Sequence, residues 1–357
     1  MKPVFWRTLL TLTLLLTGLL LAAASCEPAP PGSITPTFSS PPESITVYFT
    51  DPTDPDASTY RGGIDELLVA AIDDAQAAVD MAMFDLNLWS VRDALIAAHQ
   101  RGVRVRMVTE SDNLDEPEMQ ELLAAGIEVL GDRSEGLMHD KFVIIDRWEV
   151  WTGSTNLTTG GVYLNDNNLL RIRSTRLAQD YTTEFEEMFV SDAFGPGSPA
   201  NTPNPTVSLD GILVEVYFSP EDGALSRLVT LVSGAQHSVY FLAYSFTSDE
   251  LAAALLERAA AGIQVAGVFE EDQYNSNIGT EFDNLLAAGL DVRLDGNPSH
   301  MHHKVIIIDE QVVVTGSYNF SNNAEERNDE NLLIIHDSGL AAQYLSEFNR
   351  VYNLAAP

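Results

Sequence analysis

Three things are scarce in this 357-residue chain: cysteine, lysine and positive charge in general. The single cysteine, Cys26, excludes a disulfide bond within one molecule. The formal net charge is −33, from 52 acidic and 19 basic residues, and only three of the basic residues are lysines. Such a charge repels polyanions at long range, which disfavours a broad basic groove and a nucleic-acid partner.

The first 26 residues form a segment of their own. Lys2 and Arg7 precede an apolar run that contains no charge from Thr8 to Cys26, which is typical of a secretory signal peptide. Cys26 follows "AAAS", and this arrangement resembles the lipidation site of bacterial lipoproteins. We therefore expect an exported protein that is anchored to the membrane at the cell envelope through Cys26, or secreted. An uncleaved apolar anchor is the alternative.

Two stretches rich in proline and small polar residues divide the rest of the chain. Residues 27–44 predict an extended tether, and residues 195–210 predict a linker of the same kind. The segments that remain, 45–194 and 211–357, have similar lengths and similar sequences. We therefore predict two repeats of one fold.

The two repeats share polar residues as well as apolar ones. "HDKFVIIDRWEVWTGSTN", which begins at His139, aligns without a gap with "HHKVIIIDEQVVVTGSYN", which begins at His302, at a constant offset of 163 positions. A duplicated fold explains shared apolar positions, but it does not explain shared histidines and asparagines. Lys141 and Lys304 are also two of the three lysines in the chain. The shared polar residues therefore predict a functional site.

Hydrophobic periodicity predicts short strands that alternate with amphipathic helices in both repeats. "TSDE" at 247–250 has the spacing of a capping box at the start of one helix. This order of elements is typical of a layered α/β domain with helices on both faces of a sheet. The strands are expected at "SITVYF", "AAVDMAMF", "GVRVRMV", "KFVIID" and "NLLRIR" in the first repeat and at their counterparts in the second.

The motif strands place their polar residues in a regular way. The histidine and the lysine are two positions apart, so their side chains share one face of an extended segment. Asp146 and Asp309 lie at the far end of the strand, where we expect each to anchor backbone or the lysine. Gly153 and Gly316 end the next strand, where a glycine lets a ligand approach the backbone closely.

These motifs resemble the HxKxxxxD…GSxN signature of the phospholipase D superfamily, and the resemblance covers the chain from about residue 45 to residue 355. It implies an α/β fold in which two αβα sandwiches are related by a pseudo-twofold axis and share one active site. It also implies a phosphodiesterase in which either His139 or His302 attacks phosphorus and forms a phosphohistidine. The other histidine then protonates the leaving alcohol and activates water or another alcohol.

The chemistry requires these residue types. Two histidines supply a nucleophile and an acid near neutral pH, and fixed positive charge and donors stabilise the phosphoryl oxygens. We expect no metal and no cofactor, because the scheme leaves no acidic cluster to bind one. The expected catalytic set is His139, Lys141, Asp146, His302, Lys304, Asp309 and Glu330. The expected phosphate-binding set is Ser154, Asn156, Ser317 and Asn319.

The two copies differ at the carboxylate that orients the histidine in this superfamily. Glu330 lies 28 residues after His302 and fits that role in the second copy, whereas Asn167 occupies the equivalent position in the first. An asparagine accepts a hydrogen bond but cannot neutralise an imidazolium, so the two histidines are expected to differ in basicity. The resemblance favours His139 as the nucleophile.

The substrate class is the least determined property. Export and lipid tethering would place the enzyme beside phospholipid, so we expect a monomeric phospholipase D-type enzyme that hydrolyses or transfers phospholipid headgroups. An extracytoplasmic nuclease of the same superfamily is one alternative. A catalytically silent lipoprotein that binds phospholipid or phosphate is another, although two intact motifs argue against it.

Overall fold

The structure is a computed structural model, and it describes residues 44–355. The predicted signal peptide, Cys26 and the predicted tether up to residue 43 lie outside the described residues. None of the helices between residues 44 and 355 is long and apolar enough to cross a membrane.

The first repeat consists of one mixed sheet and its flanking helices. The strands are β1 (Ile45–Phe49), β2 (Ala78–Met83), β3 (Arg104–Thr109), β4 (Glu128–Gly131), β5 (Lys141–Ile145), β6 (Glu149–Gly153) and β7 (Asn168–Arg173). The helices are α1 (Asp65–Asp74), α2 (Trp89–Gln100), α3 (Pro117–Ala124), α4 (Thr159–Tyr163) and α5 (Thr175–Ser191).

The second repeat has the same elements, together with one additional strand and one additional short helix. The strands are β8 (Thr206–Leu209), β9 (Ile212–Ser219), β10 (Ser238–Ala243), β11 (Gln264–Phe269), β12 (Asp291–Leu294), β13 (Lys304–Ile308), β14 (Val312–Gly316) and β15 (Glu330–His336). The helices are α6 (Ala224–Gly234), α7 (Asp249–Ala260), α8 (Glu271–Ser276), α9 (Phe282–Ala287), α10 (Asn322–Glu326) and α11 (Ser338–Leu354).

Both sheets have the same strand order. The first is β1-β7-β6-β5-β2-β3-β4, and the second is β9-β15-β14-β13-β10-β11-β12 with β8 added beside β9. β2, β3 and β4 run parallel to one another. In the order β2-β5-β6-β7-β1, each strand is antiparallel to the next. The shared order confirms the duplicated α/β fold that the repeat predicts.

The motif strands lie at the centre of the molecule because both of their faces are apolar. In β5, Phe142 and Ile144 belong to a central core, whereas Val143 and Ile145 belong to an outer core formed with α1, α2 and α3. The central core also contains α5, α11 and the inner faces of both sheets. Helices α5 and α11 therefore lie between the two sheets, and the other long helices cover the outer faces.

Two local features differ from the prediction. Residues 195–210 are not a featureless linker, because β8 pairs with β9 and buries Val207 and Leu209. Helix α7 is capped by Ser248, whose hydroxyl accepts from the Leu251 N–H. The cap therefore lies one position later than the capping box predicted from Thr247.

Candidate active site

Backbone hydrogen bonds join the repeats where the motif strands begin. The His139 N–H donates to the Asp329 carbonyl at 3.0 Å, and the His302 N–H donates to the Asp166 carbonyl at 2.9 Å. Asp329 and Asp166 occupy equivalent positions just before the last strand of each repeat. Each motif is therefore held against the opposite repeat, and the two motifs meet at one place.

Each histidine takes its orienting partner from the other repeat. His139 Nδ1 lies 2.7 Å from Glu330 Oε2, and His302 Nδ1 lies 2.9 Å from Asn167 Oδ1. The expectation that Glu330 orients His302 is therefore wrong. The backbone hydrogen bonds between the repeats explain the exchange, because the residue after each bonded aspartate faces the histidine of the opposite repeat.

The hydrogen bonds of Asn167 fix the tautomer of His302. Asn167 Nδ2 donates to the Gly161 carbonyl at 2.8 Å, so the amide oxygen faces the histidine, and this oxygen can only accept. His302 Nδ1 must therefore carry a proton, which leaves the lone pair on Nε2. The carboxylate of Glu330 imposes the same arrangement on His139. Both Nε2 atoms are thus available for attack or for proton transfer.

Burial lowers the pKa of both histidines. The pKa of His139 falls to about 4, chiefly through burial, and the charge of Glu330 opposes this shift. The pKa of His302 falls well below its ordinary value through burial and through the charges of Lys304 and Lys141. Only His139 has a carboxylate that stabilises its protonated ring. The predicted difference in basicity therefore has a structural basis.

The two motif lysines are buried beside the histidines. Lys141 Nζ donates to the His139 carbonyl at 2.7 Å, and Lys304 Nζ donates to the His302 carbonyl at 2.8 Å. Burial lowers the pKa of Lys141 to about 8 and lowers that of Lys304 as well. Each ammonium has three N–H donors and uses one of them among the described residues. The remaining donors suit an anionic group bound between the repeats.

Two aromatic rings that sequence analysis did not identify lie against the histidines and lysines. The Phe84 ring centroid is 4.9 Å from that of His139, and the Tyr244 ring centroid is 4.4 Å from that of His302. The lysine Nζ atoms lie 5.1 Å from the Phe84 centroid and 4.4 Å from the Tyr244 centroid. Each aromatic residue directly follows the strand that pairs with a motif strand. That position is the sequence signal by which they could have been found.

The residues predicted to bind phosphate divide into two pairs. Ser154 and Ser317 are fully buried, and their hydroxyls contact the protein: Ser154 Oγ donates to Asn167 Oδ1 at 2.8 Å, and Ser317 Oγ accepts from a backbone N–H of β15 at 3.0 Å. Asn156 and Asn319 are partly exposed, and their buried amide oxygens have no hydrogen-bond partner within residues 44–355. The asparagines are therefore the pair whose side chains remain available to a ligand.

Asp146 and Asp309 lie outside the site, so including them in the catalytic set is wrong. The Asp146 carboxylate accepts from the backbone N–H groups of residues 76–78 at 2.7–3.2 Å, and Asp309 accepts equivalently from residues 236–238. These bonds lower the pKa of both aspartates. Five residues of extended chain, about 16 Å, separate each aspartate from its motif lysine. They anchor backbone, not the lysine.

Gly153 and Gly316 are required by the neighbouring strands. A Cβ on Gly153 would lie 2.3 Å from the backbone oxygen of Asn168, and one on Gly316 would lie 2.2 Å from that of Asn331. The close approach is therefore between strands of one sheet, whereas the sequence predicts an approach to a ligand.

His300 and Glu270 form a pair beside the second motif. Their Nδ1 and Oε1 atoms are 2.8 Å apart, and the His300 side chain is 38% exposed. Together with Asp272 they place three possible metal-ligand atoms within 4.8 Å of one another. The sequence indicates no acidic cluster here, whereas the structure brings these three residues together; catalysis without a metal stays a prediction. In the first repeat, Glu110 instead accepts from the backbone N–H of Met138 at 3.0 Å, just before the motif.

Comparisons with known proteins agree with this geometry. The family model "Cardiolipin synthase, PLD-like domain" matches residues 68–189 and 228–352. The chain is 33% identical over 135 residues to a phospholipase D of Rickettsia bellii. The aligned residues make up 38% of this chain and 67% of the relative. It is 37% identical over 131 residues to a mitochondrial cardiolipin hydrolase of Xenopus laevis. Those residues make up 37% of this chain and 62% of the relative.

A solved structure extends the likeness of the fold to most of the chain. The phosphatidylserine synthase of Haemophilus influenzae matches with a TM-score of 0.66 and 12% identity, over 88% of this chain and 87% of that one. The chain spans about two thirds of the length of the curated relatives, and each of those matches covers about the length of one repeat. The family model, in contrast, matches both repeats and more than half of the chain. The chain therefore belongs to the phospholipase D superfamily and is a phosphodiesterase of the phospholipase D type.

Proposed function

We propose that the protein hydrolyses or transfers phospholipid headgroups through a phosphohistidine formed on His139. The observation that supports this proposal best is the unequal pair of histidines. Each holds a proton on Nδ1 and leaves Nε2 free, but one has a carboxylate partner and the other an amide partner. A double displacement at phosphorus needs such a pair, with a nucleophile on one side and an acid on the other.

His139 is assigned as the nucleophile because of Glu330. Attack of Nε2 on phosphorus forms the P–N bond and places positive charge on the ring, which the carboxylate 2.7 Å from Nδ1 stabilises. The headgroup oxygen leaves with the electron pair of the broken P–O bond and takes a proton from His302 Nε2. The negative charge of the bound phosphodiester raises the pKa of His302, so that this ring can hold the required proton.

Water or an alcohol completes the reaction from the side that the headgroup has left. His302 Nε2 accepts the proton of the attacking hydroxyl, the P–N bond breaks, and its electron pair returns to His139 Nε2. Attack by water gives phosphatidic acid, and attack by an alcohol gives a new phosphatidyl ester. Lys141 and Lys304 contribute the positive charge that stabilises the non-bridging oxygens in both steps.

Phospholipid is the substrate class that the relatives and the charge distribution favour. The similar proteins are named phospholipase D and cardiolipin hydrolase. The chain has a net charge of −33, so its affinity for nucleic acid lacks the usual long-range electrostatic contribution. A single phosphodiester requires only the local charge of the two buried lysines. We further propose that a monomer acts beside the membrane, exported and anchored through Cys26.

The test uses the full chain in detergent, with mixed phospholipid vesicles and ethanol in one arm and single-stranded DNA in the other. We expect phosphatidic acid and phosphatidylethanol from the wild type, and rates at least about 10³-fold lower for His139→Ala and His302→Ala. His237→Ala is the matched control, because His237 is exposed and lies outside the site. Cleaved DNA with intact phospholipid would instead make the protein a nuclease.

A substrate with a good leaving group separates the two histidines. p-Nitrophenyl phosphocholine needs little acid catalysis, so His302→Ala should still release about one equivalent of nitrophenolate per enzyme and then stall as the phosphohistidine. His139→Ala should give no such burst. The opposite result, with the burst in His139→Ala, would reassign the nucleophile to His302.

A further inference from the structure

A cluster of carboxylates lies where the two repeats meet, outside the active site. Glu184 and Glu187 of α5 and Glu221, which follows β9, each place one oxygen within 4.8 Å of the others. The Glu184 side chain is only 3% exposed, and Glu187 is buried as well. Each of the three has an oxygen without a hydrogen-bond partner in the part of the chain that the structure describes. Carboxylates so placed are stable only if protons or a cation neutralise them.

Two buried aspartates extend this acidic cluster towards the active site. Asp140 belongs to the first motif, and Asp329 immediately precedes Glu330. Both are fully buried, and each has one Oδ2 without a partner among residues 44–355. The pKa of Glu184 is raised chiefly by burial and then by the charges of Glu221, Asp140 and Asp329. The cluster therefore brings carboxyl groups from both repeats together beneath the first motif.

The internal duplication supplies a comparison within the same molecule. Two of the four equivalent positions in the other repeat are basic. Arg350 Nη2 lies 2.6 Å from Glu347 Oε1 and 2.5 Å from Asp166 Oδ1, and His303 Nε2 lies 3.0 Å from Glu347 Oε1. The equivalent group of residues in the other repeat thus contains its own cation. Arg350 lies there at the position that Glu187 occupies in the carboxylate cluster. At the offset of 163, Asp140, Glu184, Glu187 and Asp329 correspond to His303, Glu347, Arg350 and Asp166.

We propose that a divalent cation of the calcium class binds Glu184, Glu187 and Glu221 and replaces the positive charge that Arg350 supplies in the other repeat. Three carboxylates and no nitrogen or sulfur donor are the ligands that hard cations prefer. The three oxygens lie within 4.8 Å of one another, so one ion can lie within about 2.8 Å of all three, close to the usual Ca²⁺–oxygen distance of about 2.3–2.6 Å.

The ion would have a structural role. Glu184 and Glu187 belong to the first repeat and Glu221 to the second, so a shared ion links the repeats where they form the active site. It contacts none of the reacting atoms, and the inference does not depend on the proposed substrate or nucleophile.

The competing explanation is that protons alone neutralise the cluster. Burial raises the pKa of Glu187 to about 7 and that of Glu221 to about 8. Carboxylates whose folded pKa is raised contribute stability at low pH and lose it as the pH rises towards 8. A metal ion requires the deprotonated groups, so its stabilising effect grows over the same range. Measurements at pH 8 therefore distinguish the two explanations.

The first experiment measures thermal unfolding of the full chain at pH 8 in EGTA and in CaCl₂, with calorimetric titration of Ca²⁺. We expect one ion per chain and a rise in the unfolding temperature of about 5 °C when the free Ca²⁺ concentration is 100 times Kd. MgCl₂ and MnCl₂ are run as parallel probes. No binding heat and no shift with any of the three ions would overturn the proposal in favour of protons.

Substitutions then locate the ion. Glu187→Arg copies the arrangement of the other repeat, so it should abolish the response to Ca²⁺ and raise the unfolding temperature in EGTA above that of the wild type. Glu184→Gln should also lose the bound ion. Glu186→Gln, on the same helix but directed towards Arg106, is the matched control and should retain it. A Ca²⁺ response that survives both Glu187→Arg and Glu184→Gln would place the ion elsewhere and overturn the assignment.

Discussion

Glu330→Gln tests whether a carboxylate makes His139 the nucleophile. Glutamine keeps an amide oxygen that can accept from Nδ1, so the tautomer and the orientation of the ring are retained. The substitution also has a natural precedent in this molecule, because the amide of Asn167 already orients His302 at 2.9 Å. Only the negative charge is removed, and the effect measured is therefore the effect of that charge.

The magnitude follows from the contact between His139 and Glu330. A buried hydrogen bond to a charged group contributes about 1.5–3 kcal/mol, and a neutral one contributes about 0.5–1.5 kcal/mol. The difference of about 1–2 kcal/mol applies where the ring is cationic, which is the transition state for attack. Since 1.36 kcal/mol is a factor of ten in rate, phosphohistidine formation should slow by about 5- to 30-fold. KM should change little, because the free ring is neutral.

The pH dependence supplies a second, independent measure. His139 attacks as a neutral ring, so kcat/KM should fall as the pH drops through its pKa of about 4. The carboxylate stabilises the protonated ring and so raises this pKa. Removing the carboxylate therefore lowers the pKa, and the acidic limb of the profile should move to lower pH.

The assay follows the burst of nitrophenolate by stopped flow and locates the phosphorylated histidine by peptide mass spectrometry. Asn167→Asp is the reciprocal variant, which gives His302 a carboxylate partner as well and should raise its pKa. The reasoning would be refuted by a burst rate in Glu330→Gln within twofold of the wild type. A shift of the acidic limb to higher pH would refute it as well.

Three further outcomes follow from the structure, and a fourth follows from the sequence. Lys304→Met should lower kcat by about 10²–10³-fold in the vesicle assay, because it removes a fixed donor and charge at the phosphate. Gly153→Ala should lower the free energy of unfolding by about 1–3 kcal/mol in urea, because its Cβ would lie 2.3 Å from a backbone oxygen. Asp146→Ala should lower the same free energy by about 1–3 kcal/mol, because it leaves three backbone N–H groups without their carboxylate, while the burst amplitude per folded enzyme stays unchanged. Cys26→Ser should abolish incorporation of labelled palmitate in a bacterial host, and labelling that persists would contradict the predicted lipidation.

The fold could be predicted because its determinants are local and repeated. The segment "FVII" is apolar at every position, which a strand requires when one face packs on an outer core and the other on a central core. The offset of 163 positions then assigns the same architecture to both halves. Composition was less informative for residues 195–210, since the buried side chains of Val207 and Leu209 stabilise β8 despite the neighbouring prolines.

The partners in the site could not be predicted from one repeat at a time. Along the sequence, Glu330 follows His302 and no aligned carboxylate follows His139, so the natural assignment pairs residues within a copy. The actual pairing depends on the backbone hydrogen bonds between the repeats, which are tertiary contacts between distant segments. The carboxylate cluster around Glu184 was missed for the same reason, since Glu221 joins Glu184 and Glu187 of α5 only through a tertiary contact.

The exchange of partners between repeats bears on how such an enzyme can diverge. In a symmetric dimer of identical single-repeat subunits, every substitution appears twice, so both histidines must have the same partner. A carboxylate at one histidine and an amide at the other requires two halves with different sequences, which this chain provides within one polypeptide. Fusion of the repeats thus breaks the symmetry of the catalytic pair. Once that symmetry is lost, one histidine can specialise in bonding to phosphorus while the other specialises in moving protons.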